Sequence, residues 1–210
     1  MHPPPLVFFH NPHSRAAMTR ALLEELDAPY QVHPIDFRHG EQLSAGYRAI
    51  NPMGKVPAIR CGEEVVTETV ALYIWLADRF PQAGLAPALD DPQRGSYLRW
   101  LVFYAACMEP ALVDRALKRE PGPRAQSPYG DFDTTLKTAS DAITRGPYLL
   151  GERFSAADVL WACALRLFAQ FGLVKLAPEI AAYVERVIAR PAQQRALAAD
   201  EALAKAMGLA

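Results

Sequence analysis

The chain has 210 residues, 51% of them hydrophobic and 21% charged, and its 22 basic and 23 acidic side chains leave a formal net charge of −1. This is too apolar and too balanced for a disordered polymer, and it supplies no basic excess to meet phosphates, which excludes nucleic acid as the main partner. Three scattered cysteines, Cys61, Cys107 and Cys163, form neither a CxxC pair nor a disulfide framework, which points to a reducing compartment, the cytoplasm.

The start, MHPPPLVFFHNP, has no basic region followed by a sustained apolar stretch, so it does not read as a leader. No window of about 18 uncharged apolar residues is present to span a membrane. Leu6 to Phe9 is a short apolar run between prolines and predicts a buried strand. From Ser14 the residues Met18, Leu22 and Leu26 recur at helical spacing, and Ala28-Pro29 ends that helix. Tyr30 to Ile35 predicts a second strand, at a sheet edge because Pro34 cannot donate to a ladder. A weak helix over Gly40 to Ile50 leads to a turn at Asn51-Pro52-Met53-Gly54. Val56 to Arg60 and Glu64 to Val66 predict two short strands joined tightly, and a helix runs from Thr67 to about Phe80. The order βαβ then ββα predicts a small mixed sheet covered by helices.

Residues 82–92 read as a linker, and beyond them strand signals disappear. One helix is predicted from Pro92 to about Lys118, kinked at Pro110. A loop with Pro121, Pro123 and Pro128 follows, then a helix from Asp131 to Thr144. Ser155-Ala156-Ala157-Asp158 is a capping box, opening a helix to Phe171 that is apolar almost all round and so belongs at the centre of a bundle. Two more helices are predicted, from Glu179 to Ala189 and from Pro191 onward.

Three local features could carry chemistry. Ser14 opens a helix after a strand and a turn; a hydroxyl there either caps the helix or donates to a bound thiolate in the positive field of the helix start. Val56-Pro57 opens a strand; a cis bond there would turn the Val56 backbone toward a peptide ligand, while most X-Pro bonds are trans. Glu68 and Thr69 begin another helix, where they either complement its dipole or hold the amine and carboxylate of a ligand. Taken singly, each is better explained by structure.

Taken together, these residues resemble the glutathione transferase family, over essentially the whole chain. The resemblance is carried by the strand, turn-Ser and helix order, by NPMGKVPAI, by TETVALYIWLADRF and by PYLLGERFSAAD. It implies an α/β thioredoxin-like N-terminal domain over residues 1–81 with a cis proline at Pro57, a linker at 82–92, and an all-α helical bundle domain over 93–210. It implies a homodimer that uses glutathione as co-substrate, without metal, and a small hydrophobic electrophile. The cysteinyl backbone of glutathione would pair with Val56, and the γ-glutamyl end would meet Glu68 and Thr69. Lys55 sits where members often place a residue touching the tripeptide, and Gln42 or His39 would meet the glycine carboxylate.

Tyrosine-type members carry a phenol near the end of the first strand, where this chain has Phe8 and Phe9. Cysteine-type bacterial members carry Cys at the position of Ser14; this chain has Ser there and so resembles serine-type members. A serine cannot form a mixed disulfide with glutathione, which favours carbon electrophiles over disulfides. Asn11 and His13 are rivals for the contact to sulfur, and Arg15 either adds positive field or faces solvent. In this family the electrophile pocket lies between the domains. Its candidate walls are Phe103, Tyr104, Cys107 and Met108, bordered by Asn11 and His13, with bundle core as the alternative for the helical four. Ser155 and Asp158 are expected to serve stability. A glutathione-binding scaffold without turnover, or a glutathione-dependent isomerase, dehalogenase or peroxidase, would share the same tripeptide site.

Overall fold

The structure, a computed structural model, describes residues 5–209. The first four residues of the leader-free start expected above lie outside the described residues. By contacts the chain divides into two compact units, one holding residues up to 83 together with those from 190 on, the other holding residues 84–189.

The first unit is built on four strands: β1 (Leu6–His10), β2 (Tyr30–Pro34), β3 (Ala58–Cys61) and β4 (Glu64–Thr67). They lie in the order β2-β1-β3-β4, with β1 parallel to β2 and β3 antiparallel to both β1 and β4. That is the mixed sheet of a thioredoxin-like domain. Strand β1 is central and covered on both faces, so it is apolar at consecutive positions rather than alternating. Phe9 packs with Ile35, Tyr47 and Ala58 in one cluster. Helix α1 (Ala16–Glu25) buries the predicted stripe, with Met18 and Leu22 at 2% and 0% exposure. Helix α3 (Thr69–Arg79) is tied to it by the Tyr73 hydroxyl, which donates to the Met18 carbonyl at 2.6 Å. The predicted weak helix at 40–50 is two 3-10 turns, Phe37–His39 and Glu41–Leu43, followed by α2 (Ala45–Arg48).

The second unit holds α4 (Arg94–Phe103), α5 (Glu109–Ala116), α6 (Phe132–Ile143), α7 (Ala156–Gln170) and α8 (Pro178–Ile188). Helix α7 is the central one, with Val159, Leu160, Trp161 and Ala162 all at 0% exposure. The capping box is present at its start. The single kinked helix expected from 92 to 118 is instead α4, a π-helical turn at Tyr104–Met108, and α5. Pro110 cannot donate to the carbonyl four residues back, and its ring crowds that position. The chain resolves this upstream: the Glu109 N–H bonds to the Tyr104 carbonyl five residues back, so the break precedes the proline.

The last helix, α9 (Pro191–Ala206), groups with the first unit, whereas the expected helical domain ran through residue 210. Its small residues Ala192, Ala196 and Ala204 are buried. Arg190 makes a two-point ion pair with Glu25 at 2.8 Å, and Arg195 reaches Glu24 at 3.0 Å, both on α1. The expected linker is held within the second unit from Gly84 onward: the Leu85 carbonyl accepts from Ala156 N–H at 2.8 Å, and Arg153 pairs with Asp91 at 2.6 Å.

Candidate functional site

Strand register brings the separated motifs together. Phe9 lies opposite Ala58, and Ala58 opposite Thr67, while Phe9 is also level with His33. The segments just beyond that row are therefore the Asn11–Ser14 turn, Val56-Pro57, the start of α3 at Glu68, and the loop of residues 36–43. All four leave the sheet at the same end.

Each segment is held by side chain to backbone hydrogen bonds. Asn11 is 2% exposed; its amide donates to the Ile35 carbonyl at 2.9 Å, and its oxygen accepts from His13 N–H at 3.0 Å. The Ser14 hydroxyl donates to the Asn11 carbonyl at 2.7 Å and accepts from Ala16 N–H at 3.1 Å. It thus serves as a cap and turn clasp at the start of α1. His13 and Arg15 are exposed at the same turn.

The Val56-Pro57 bond is cis, as the resemblance implied. Just before it, the Lys55 carbonyl accepts from the Tyr47 hydroxyl at 2.6 Å and the Asn51 amide at 2.7 Å. Burial pushes the Tyr47 phenol up to about 12, which keeps it a neutral donor. Asn51, itself 3% exposed, also accepts from Met53 N–H at 3.1 Å and so holds the whole Asn51–Gly54 turn. Neither Tyr47 nor Asn51 stood out as a site residue in the sequence; the signal for Asn51 was its place before Pro-Met-Gly in NPMGK. Among the described residues, no hydrogen bond engages the N–H or C=O of Val56, which is half-buried.

Gly54 has φ of +62°, and a Cβ there would stand 2.8 Å from the Gln42 carbonyl oxygen, so only glycine lets the turn lie against Gln42. The Gln42 side-chain oxygen is buried without a partner. His39 is exposed, and its Nδ1 lies 3.0 Å from Asp36 Oδ2. The Arg38 guanidinium beside Asp36 holds that carboxyl well below the usual carboxylate range.

Glu68 adopts φ of +68° without being glycine, a conformation that costs about 1–3 kcal/mol and persists where the surroundings impose it. It precedes Thr69 at the start of α3, and no side chain caps that start, so its first N–H groups remain available to an anion.

The helical candidates are in the second unit and differ among themselves. Met108 and Tyr104 are core, at 0% and 3% exposure, and the Tyr104 hydroxyl donates to the Glu109 carboxylate. Tyr104 meets Trp161 edge-on, and Phe103 stacks on the same indole. Phe103 and Cys107 are half-buried, and burial pushes the Cys107 thiol up. Asp158 is fully buried: its oxygens accept from Leu149 N–H, Ser155 N–H, the Ser155 hydroxyl and the Tyr183 hydroxyl at 2.8–3.0 Å.

Among the described residues, no group of three or more His, Cys, Asp or Glu could hold a metal ion, and no helix is long and apolar enough to cross a membrane.

Comparison with known proteins gives the same arrangement a family. Residues 14–79 match the glutathione S-transferase N-terminal domain, and residues 106–191 match the glutathione S-transferase C-terminal domain. Glutathione S-transferase GstA of Escherichia coli is 27% identical, over 91% of this chain and 97% of its own. A glutathione transferase from Methylococcus capsulatus superposes with a TM-score of 0.80 at 27% identity, covering 93% of this chain and 98% of that one. A Sulfitobacter homologue solved with bound glutathione has a TM-score of 0.72 at 28% identity, covering 98% and 99%. Two domain matches of one family, the first spanning most of a thioredoxin-like sheet and its cis proline and the second the helices that follow, establish that the chain belongs to the glutathione S-transferase family.

Proposed function

We propose that the protein binds glutathione at the loop end of its sheet and activates the thiol for attack on a small hydrophobic carbon electrophile, as a cytoplasmic homodimer. The observation that carries this reading is the register: three backbone features suited to a tripeptide leave the sheet at one end. The unengaged N–H and C=O of Val56 offer a two-bond pairing to the cysteinyl backbone. The open start of α3 suits the γ-glutamyl carboxylate, and Glu68 suits its ammonium. Lys55 is exposed beside Val56, and Gln42 and His39 lie on the loop that suits the glycine carboxylate.

The thiol then falls beside the Asn11–Ser14 turn. The start of α1 lowers a thiol pKa by its partial positive charge. Ser14 adds a donor when its hydroxyl rotates from the Asn11 carbonyl toward the sulfur. The thiol proton leaves to solvent, the thiolate attacks carbon, and a leaving group departs with the bonding pair. Asn11 suits this donor role less, because both ends of its amide hold the turn. Phe103 and Cys107 are the helical residues with surface left to contact an electrophile, and Tyr104 and Met108 support them from the core.

Ser14→Ala tests the assignment. The pKa of enzyme-bound glutathione should rise by roughly one unit, equivalent to about 1.4 kcal/mol, with kcat/KM falling about tenfold. An unchanged thiol pKa would move the contact to Asn11 or His13. Retention on immobilised glutathione without conjugation across a panel of aryl, alkyl and unsaturated electrophiles would make the protein a glutathione-binding scaffold.

A further inference from the structure

The C-terminal helix α9 meets the loop end of the sheet at two places, and neither is explained by helix packing alone. The first is a buried charge cluster. His10, the last residue of β1, is 0% exposed; its Nε2 lies 2.6 Å from Asp200 Oδ1 on α9. The same oxygen pairs with Arg20 of α1 at 3.0 Å, and Arg20 is 3% exposed. The His10 ring stacks on Phe8 at 4.7 Å, and its Nδ1 is buried with no partner. Arginine and aspartate already balance in charge. A neutral ring donating from Nε2 is the form this pocket accommodates, in keeping with a pKa lowered chiefly by burial.

From His10 a chain of hydrogen bonds runs straight into the thiol-side turn. The His10 carbonyl accepts from Ile35 N–H at 2.8 Å, and the Asn11 amide donates to the Ile35 carbonyl at 2.9 Å. The Asn11 carbonyl in turn receives the Ser14 hydroxyl. The second place is the end of α9. Arg38, on the loop that carries His39 and Gln42, donates to the Met207 and Gly208 carbonyls at 2.5 and 3.0 Å, while Asp36 orients its guanidinium. A single helix is therefore bonded to the strand end that feeds one loop and to the body of another.

We infer that Asp200 is a positioning residue for catalysis: by holding the buried His10 ring it sets the Asn11–Ser14 turn at the distance the glutathione sulfur requires. The inference rests on the function proposed above. Misplacement of a reacting group by about 1 Å can cost two orders of magnitude in rate while leaving binding of the remainder of the substrate in place. The tripeptide contacts at Val56, Glu68 and Thr69 lie just before β3 and at the start of α3, and among the described residues no hydrogen bond or ion pair joins the side chains of His10, Arg20 or Asp200 to them. Loss of Asp200 should therefore act on kcat and on the thiol, and little on the KM for glutathione.

The test compares Asp200→Ala, Asp200→Asn and Arg190→Ala in the full-length protein. Arg190→Ala removes a different ion pair between α9 and α1, the one to Glu25. Each is assayed with glutathione and an activated aryl chloride, the bound thiol is titrated by its thiolate absorbance, and thermal unfolding is recorded. The expected result for Asp200→Ala is a kcat lowered about tenfold or more and a raised thiol pKa, with the KM for glutathione little changed. Asp200→Asn, which keeps an acceptor oxygen for His10, should recover most of the rate. Arg190→Ala should lower thermal stability and leave kcat and the thiol pKa as in the parent. Should Asp200→Ala fail to fold, His10→Phe keeps the stacking on Phe8 and the Arg20–Asp200 pair, and it carries the same kinetic expectation. If the Asp200 and His10 variants change only thermal stability, as Arg190→Ala does, the inference is overturned. If the parent protein itself neither binds glutathione nor shifts its thiol, the proposed function fails and the inference falls with it, an outcome distinct from the previous one.

Discussion

The loop end of the sheet and the capping box of the second unit use buried polar groups in opposite ways. At the start of α7, Asp158 collects two backbone N–H groups and two hydroxyls, and no capacity on that carboxylate is left over. At the loop end, Tyr47, Asn51 and Asn11 also clasp backbone, but the groups they fix flank others that stay open: the Val56 amide and carbonyl, the first N–H groups of α3, and the buried oxygen of Gln42. A polar network that closes on itself stabilises a fold. One that holds backbone rigidly while leaving adjacent groups unmet prepares a surface for a ligand. The burial of a polar side chain therefore does not separate scaffold from site; what remains unpaired around it does.

The contrast can be broken at three points. The largest effect is expected from Asp158→Ala. It leaves the buried Leu149 N–H and Ser155 N–H without their acceptor and removes the shorter hydrogen bond of the Tyr183 hydroxyl, and should cost about 3–5 kcal/mol in urea unfolding. Glutathione affinity of the protein that remains folded should be unchanged. A specific loss of affinity would mean that the box is not purely structural.

Gly54→Ala comes next. The added Cβ meets the Gln42 carbonyl at 2.8 Å on a backbone with positive φ, so roughly 1–3 kcal/mol of stability should be lost. Here the affinity should fall as well, because the turn that carries Lys55 and Val56 has to move. Isothermal titration with glutathione against thermal unfolding separates the two effects.

The smallest effect is one of pH. Burial lowers the His10 pKa below the ordinary 6.5, so the unfolded chain takes up this proton before the folded one does. The stability carried by the neutral ring is full above pH 6.5 and is lost as pH falls from there toward the folded value, by at most about 1.4 kcal/mol per pH unit. His10→Gln should flatten that part of the stability profile, and a profile with unchanged slope would show that His10 titrates normally.

What could be read from the sequence was the part that backbone chemistry dictates. The run Leu6 to Phe9, the Met18-Leu22-Leu26 stripe and the Ser155–Asp158 box each have a local physical cause, and each is present. The turn at Asn51–Gly54 was legible for the same reason, whereas the cis bond at Val56-Pro57 was not: most X-Pro bonds are trans, and only the family resemblance implied it. Long-range docking was not legible. Helix α9 has helical spacing like any other, and nothing in that spacing says that Arg190, Arg195 and Asp200 answer charges on α1. The π-helical turn was not legible either: the kink was read at Pro110 itself, yet the register changes upstream of it, at Tyr104–Met108. Phe103 and Cys107 keep surface while Tyr104 and Met108 lose it, a distinction that residue type does not make, since Phe103 and Tyr104 both pack on Trp161.

The central claim is that a tripeptide lies across the end of the sheet, paired to Val56. A crystal structure of the protein soaked with glutathione tests it most directly. The account predicts the cysteinyl N–H and C=O on the Val56 C=O and N–H at hydrogen-bond distance, the γ-glutamyl carboxylate on the first N–H groups of α3, and the sulfur beside the Ser14 hydroxyl, turned away from the Asn11 carbonyl. Glutathione bound elsewhere, with the Val56 backbone unpaired, would contradict it.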